Sequence, residues 1–222
     1  MWLNTKFILI VLISLVVISI LLKLRFDGAF KEYESIPEVH LNDIKDKIKT
    51  GDLILFSSHN HAYPNTIQRL YTGSFYTHVG VALVDNGEIY IIDSHPKSIR
   101  KQYEGTVEIF PFEEKCRLYD GEIFIKHLLK PVDSKHLIRL KDELNKLLAF
   151  KFPSNTDIVL KFINKCHLGL NYETEGQIYC TELASYLISD ILEIVKFNDN
   201  SCVTSRQLAS CPNYSKVYRI IL

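Results

Sequence analysis

No excess of either charge is present: lysine plus arginine and aspartate plus glutamate number 26 each. No global field therefore draws the chain toward nucleic acid or an anionic membrane surface. No Cys-x-x-Cys pair occurs among the five cysteines, at 116, 166, 180, 202 and 211, which excludes a zinc ribbon, and an odd number does not suit a small disulfide framework. At least one thiol is expected to be free. There is no internal repeat and no low-complexity tract, and 222 residues do not suffice for two substantial domains beside the apolar segment described next. No motif calls for a cofactor or a metal.

From Phe7 to Leu22 every residue is apolar except Ser14 and Ser19, with Lys6 on one side and Lys23 and Arg25 on the other. A helix reaching Leu24 would span roughly 27 Å, close to the thickness of a thin bilayer. The rival is a cleaved signal peptide, but Leu22-Lys23-Leu24-Arg25-Phe26-Asp27 is bulky and charged and offers no small-x-small site. The expectation is an uncleaved anchor over residues 1–24, membrane-spanning through 7–24. Lys6 and the terminal amine oppose Lys23, Arg25 and Lys31, and the positive excess leans toward a cytosolic C-terminal domain.

Residues 25–40, mixed and charged with Pro37, read as a linker, and the globular domain is expected over 41–222. A short amphipathic helix at 41–48 ends at Thr50-Gly51-Asp52, and Leu53-Ile54-Leu55-Phe56 reads as a buried strand. Pro64 opens a short helix carrying Ile67, Gln68 and Leu70. His78 to Val84 and Glu88 to Asp93 flank Asn86-Gly87, a pair that tolerates the positive φ of a two-residue type I′ turn, which predicts a hairpin. Strands are expected at 107–110 and 123–127, and helices from Ser134 as cap, over 157–165 and from about 179. A last strand is expected at 217–221. Strands first and helices later predict an α+β domain around an antiparallel sheet.

If Asn86 and Gly87 form the turn, Asp85 faces Glu88, Gly80 faces Asp93 and His78 faces His95. All four of these last residues share one face, because side chains alternate along a strand. His78 then has His95 across from it and Asp93 on the diagonal, either able to orient its second ring nitrogen. An isolated strand histidine is ordinarily a structural residue. Gly80 points the other way, since glycine inside a strand marks close approach by another group.

Cys180 heads an apolar stripe, with Leu183, Ala184, Leu187, Ile188 and Ile191 at helical offsets behind it. A helix N-terminus favours a thiolate and presents unpaired backbone N–H groups, so Cys180 N–H could face a developing oxyanion. Equally, Cys180 could extend the core as a small hydrophobe. The spacing alone leaves both open.

The stretches Gly51-Asp52-Leu53-Ile54-Leu55-Phe56, Thr66-Ile67-Gln68, Tyr76-Thr77-His78-Val79-Gly80-Val81 and Tyr179-Cys180-Thr181-Glu182-Leu183 together resemble the permuted NlpC-like papain-fold hydrolases called YiiX-like. Related sets occur in bacteria, in large DNA viruses and in the lecithin:retinol acyltransferase group. The motifs cover most of residues 50–222, and the histidine precedes the cysteine, the reverse of papain's order. The resemblance implies a circularly permuted papain-like fold with His78 as base and Cys180 as nucleophile. The orienting residue follows the histidine strand as a carboxylate, amide or histidine; Asp93 is the expected one and His95 the alternative.

The function so implied is a thiol hydrolase or acyltransferase acting on an amide or ester, with a peptide or lipid as partner and no nucleic acid. The alternative is a membrane-tethered, non-enzymatic binding module on the same scaffold. His59-Asn60-His61 with His78 and Asp93 could suggest zinc, but no third ligand is framed and solvated loop histidines are the expectation. Cys202 and Cys211 read as structural or incidental. Tyr71, Phe75 and Tyr76 could line a substrate groove or pack in the core.

Overall fold

The computed structural model describes residues 2–59, 63–97, 104–170, 172 and 174–222. Asn86 and Gly87 both adopt positive φ, 51° and 83°, as a type I′ turn requires, and Asp85 pairs with Glu88. That turn joins β3 (His78–Asp85) to β4 (Glu88–Lys97) in the expected register. Around the hairpin, β1 (Glu38–His40), β2 (Leu53–Ser58), β5 (Glu104–Pro111), β6 (Gly121–Lys126) and β7 (Tyr218–Ile221) complete a seven-stranded sheet. Its order is β1-β7-β6-β2-β3-β4-β5.

The sheet is mixed, which corrects the antiparallel expectation. β1 runs parallel to β7, with Val39 opposite Ile220. The segment read as a linker, 25–40, thus contains a sheet strand, and ahead of it the end of α1 (Trp2–Glu34). Polar side chains at Glu38 and His40 hid the strand: β1 lies at the sheet edge with two of its three residues exposed.

Strand β2 lies central and is buried on both faces, so its apolar residues run on without alternation. Leu53 and Leu55 join one core with α5 (Ser134–Leu147) and α7 (Cys180–Tyr186). Ile54 and Phe56 join a second with α2 (Leu41–Ile44) and α4 (Phe112–Leu118). At α5 the N-cap is Asp133, without a side-chain bond, rather than Ser134. The expected helix over 157–165 is α6 (Asn155–Lys161), capped by Ser154 and continued by a π-helical turn over Phe162–His167. Among the described residues the remaining α-helices are α3 (Tyr63–Thr72) and α8 (Ser205–Ala209), the latter started by a Thr204/Gln207 capping box.

Two devices tie outlying segments to the sheet. The Tyr33 ring packs edge-on to Phe75 at 5.0 Å, its hydroxyl donates to the Glu122 carboxylate, and Arg219 Nη1 donates to that hydroxyl at 3.0 Å. Cys166 and Cys202 form a disulfide closing a separation of 36 residues, a pairing not foreseen from the sequence; Cys116, Cys180 and Cys211 are free thiols. α1 exposes apolar side chains from Phe7 to Leu21. Among the described residues no helix is long and apolar enough to cross a membrane.

Candidate active site

The β3–β4 ladder runs from Asp85 opposite Glu88 to Val81 opposite Ile92, and beyond it Gly80 still lies against Asp93 and the His78 ring meets that of His95. A methyl group at position 80 would lie 2.4 Å from Ile91 Cγ2 and 3.2 Å from Asp93 Cβ, so glycine is what lets β4 come this close. His78 Nε2 lies 3.0 Å from Asp93 Oδ2. The His78 and His95 rings meet edge-on with centroids 5.0 Å apart. Of the two orienting candidates, Asp93 makes the hydrogen bond to Nε2.

Cys180 arrives from the other face of the sheet as the first residue of α7, behind an extended Tyr179. Leu183, Ala184, Leu187, Ile188 and Ile191 are all buried beneath it, as the stripe predicted. The start of this helix is held on several sides. Ser94 Oγ donates to the Ile178 carbonyl at 2.7 Å, Ile178 N–H donates to the Lys151 carbonyl, and Tyr179 Oη donates to the Ser201 carbonyl. Lys161 Nζ pairs with Glu182 at 2.6 Å. The Cys166–Cys202 bridge ties the two segments that supply Lys161's neighbours and Ser201 to each other. As the first helical residue, Cys180 has a backbone N–H without an intrahelical acceptor.

Electrostatics tie the three side chains together. Burial alone would lower the His78 ring, but the charge of Cys180, the Asp93 hydrogen bond and a hydrogen bond with Cys180 raise it from 6.5 to about 9. Since Nε2 is committed to Asp93, Nδ1 is the nitrogen left for Cys180. Burial would likewise raise the Asp93 carboxyl, yet the nearby Lys115 ammonium and then His78 hold it well below the usual carboxylate range. Burial pushes the neighbouring Tyr119 hydroxyl up to about 12, and the charge of Cys180 adds to that rise.

Lys115 was missed from the sequence. Its ammonium is fully buried, 2.7 Å from the same Asp93 Oδ2 and 3.5 Å from Glu108 Oε1. Among Glu113, Glu114 and Arg117 it reads as one more solvated charge. The available signal was spacing: Phe112, Lys115 and Cys116 stand at offsets of zero, three and four, on the buried face of α4.

The other candidates do not join the site. Phe75 and Tyr76 pack in the core against Phe124, and the Tyr71 side chain lies outside the described residues, as does His61. His59 is exposed, with Nδ1 3.7 Å from Asp120. A surface depression of about 260 Å³ lined by Leu83, Tyr90, Lys141 and Leu144 lies toward the turn end of the hairpin, away from His78.

Comparison with solved structures sets most of this architecture beside that of a bacterial protein, the metalloprotein YiiX (DUF1105) of Escherichia coli O157:H7. The TM-score is 0.54 at 13% identity, over 75% of this chain and 94% of that one. The chain has a YiiX-like fold. Among curated proteins it is similar to the uncharacterized protein R372 of Acanthamoeba polyphaga mimivirus, 25% identical over 182 residues, 70% of this chain and 72% of that one. No family model matches.

YiiX is a metalloprotein. Among the described residues no group of three or more histidine, cysteine, aspartate or glutamate side chains could hold a metal ion. The Asp93 oxygen that faces His78 also accepts a buried ammonium, whose charge opposes a cation there. The described residues do not fit a metal centre.

Proposed function

We infer that this protein is a thiol hydrolase or acyltransferase of the permuted NlpC-like papain type, acting on an amide or ester. The observation that carries this reading is one ring with two partners: His78 bonds Asp93 through Nε2 and interacts with Cys180, the residue that starts α7. An imidazolium beside the sulfur favours the nucleophilic thiolate.

Cys180 Sγ attacks the carbonyl carbon, the carbonyl π electrons move to oxygen, and the Cys180 backbone N–H faces the developing oxyanion. As the tetrahedral intermediate collapses, His78 Nδ1 gives its proton to the departing amine or alcohol and a thioester remains. Water or an alcohol or amine acceptor, deprotonated by the now neutral His78, attacks the thioester and releases Cys180. Asp93 keeps a proton on Nε2 throughout and so presents the basic lone pair at Nδ1.

In this reading the apolar run 7–24 is the anchor, holding the domain at a bilayer. Its exposed apolar side chains between Phe7 and Leu21 support that role. The Cys166–Cys202 bridge favours an oxidising compartment for the domain, opposite to the side that the lysine and arginine balance suggested. An anchored enzyme of this kind would act on a lipid ester or a membrane-bound peptide.

Incubating the protein with a panel of acyl esters and activated peptide amides, then mapping adducts by mass spectrometry, tests this assignment. The expected result is a hydroxylamine-sensitive acyl group on Cys180, absent in Cys180→Ala. No acyl adduct at Cys180 with either class would favour the tethered binding module instead.

A further inference from the structure

A buried lysine is costly to place and shows its reason in its partners. Lys115 Nζ sits in a fully buried position with Asp93 Oδ2 at 2.7 Å, Glu108 Oε1 at 3.5 Å, and the Phe56 and Phe110 rings at 5.8 and 5.6 Å. The same carboxylate oxygen accepts from His78 Nε2 at 3.0 Å. Among the described residues the second oxygen, Asp93 Oδ1, is buried without a hydrogen-bond partner. Asp93 therefore depends on two cations meeting at one oxygen, and only one of them, Lys115, keeps its charge through the cycle above.

We propose that Lys115 is a positioning residue of the reaction, holding Asp93 ionised and aimed at His78 Nε2 when His78 has given up its proton. The proposal rests on the catalytic reading of His78 and Cys180. When His78 is an imidazolium, Asp93 has a charged partner and needs no other. Once Nδ1 has protonated the leaving group, a fully buried carboxylate would face a neutral ring, and it would then favour taking up a proton itself. A protonated Asp93 is a weaker acceptor for Nε2–H and could itself donate to Nε2, in which case the ring would carry its proton at Nδ1 and lose the tautomer that the reaction needs. The Lys115 ammonium removes that risk, because it stays beside Oδ2 in both halves of the cycle.

The charged and titratable groups around this cluster come from every element packed on it. His78 lies on β3, Asp93 and His95 on β4, Glu108 on β5, Cys180 at the start of α7, and Glu113 and Cys116 on α4 with Lys115 itself. Removing a cation from their midst raises the proton affinity of all of them. Lys115→Met should therefore shift both limbs of the pH profile of Cys180 alkylation to higher pH, by about one pH unit or more. Lys115→Arg keeps the charge and should leave both limbs in place, whatever its cost in rate. Acting through Asp93, the lysine should matter while that carboxylate is present: Lys115→Met should move the limbs in wild type and move them far less in Asp93→Asn, whereas a lysine that is only a fastener or a background charge moves them equally in both.

The experiment measures iodoacetamide modification of Cys180 against pH in the full chain, for wild type, Lys115→Met, Lys115→Arg, Asp93→Asn and Asp93→Asn/Lys115→Met, with urea midpoints for each. Limbs displaced upward by Lys115→Met in wild type, and far less in Asp93→Asn, support the proposal; limbs at the wild-type pH in folded Lys115→Met, or an equal displacement in both backgrounds, overturn it. Should Lys115→Met fail to fold, Lys115→Gln, which keeps a donor without the charge, is measured in its place and read in the same way. His78→Ala is a separate control. If it leaves the Cys180 rate unchanged, the catalytic reading fails, while the urea midpoints still report the coupling of Lys115 to Asp93.

Discussion

Replacing Gly80 by alanine puts a methyl group 2.4 Å from Ile91 Cγ2, 3.1 Å from the Ile92 carbonyl and 3.2 Å from Asp93 Cβ. Ile91, Ile92 and Asp93 are all fully buried, so no neighbour can swing into solvent to make room. Relief requires β4 to move away from β3, and overpacking of this kind costs about 1–3 kcal/mol. Against a domain stability of roughly 5–15 kcal/mol the variant still folds. Its site does not survive intact, because the strand that must shift carries the partner of His78 Nε2. A displacement near 1 Å in a catalytic group can cost about 100-fold, so Cys180 alkylation should slow by about 10-fold to 100-fold in Gly80→Ala. Gly87→Ala is the matched control: its φ of +83° makes the substitution unfavourable by about 1–2 kcal/mol, but no atom lies within 4 Å of the added methyl. Urea denaturation and timed alkylation of both variants check this. If Gly80→Ala alkylates at the wild-type rate while as stable as Gly87→Ala, close approach at Gly80 does not position Asp93 and the reasoning is wrong.

Stability should depend on pH at both ends. His78 is raised above its unfolded value of 6.5, so its contribution is complete below about 6.5 and is lost as pH rises through about 9; Asp93 is depressed, so its contribution is complete above 3.8 and is lost as pH falls toward its lower folded value. Thermal unfolding between pH 3 and 10 should therefore show Tm falling on both sides, with the alkaline fall absent in His78→Ala. Replacing Cys166 and Cys202 by serine should lower stability by about 4 kcal/mol, from the loop entropy of a 36-residue separation, read as a shifted urea midpoint. Full-length protein should resist carbonate extraction from membranes, whereas a chain starting at Glu32 should stay soluble and folded. Starting at Leu41 instead should cost folding, since β1 pairs with β7.

The chemistry-bearing half of the molecule was legible because two strong local rules governed it. Asn86-Gly87 fixed the hairpin parity, and parity alone put His78, Gly80 and Asp93 on one face. The helical offsets behind Cys180 gave the buried side of α7. What the sequence concealed depended on distant partners. β1 is three residues with polar ends, recognisable only through its pairing with β7 across nearly the whole chain. The Cys166–Cys202 bridge follows from the packing of a π-helical turn beside Ser201, for which spacing holds no clue. Lys115 looked solvated because its neighbours Glu113, Glu114 and Arg117 are charged, and only the fold shows that it points inward to Asp93.

The central claim is that Cys180 is an activated nucleophile served by His78. Brief iodoacetamide labelling of the full chain, followed by peptide mapping, measures it against internal references. Cys166 and Cys202 are bridged, Cys211 is buried much as Cys180 is, and burial pushes the Cys116 thiol up to about 12. Cys180 should be alkylated first near neutral pH, and His78→Ala should slow it by about 10-fold or more. Labelling of Cys180 no faster than Cys211 or Cys116, at a rate unchanged in His78→Ala, would contradict the account.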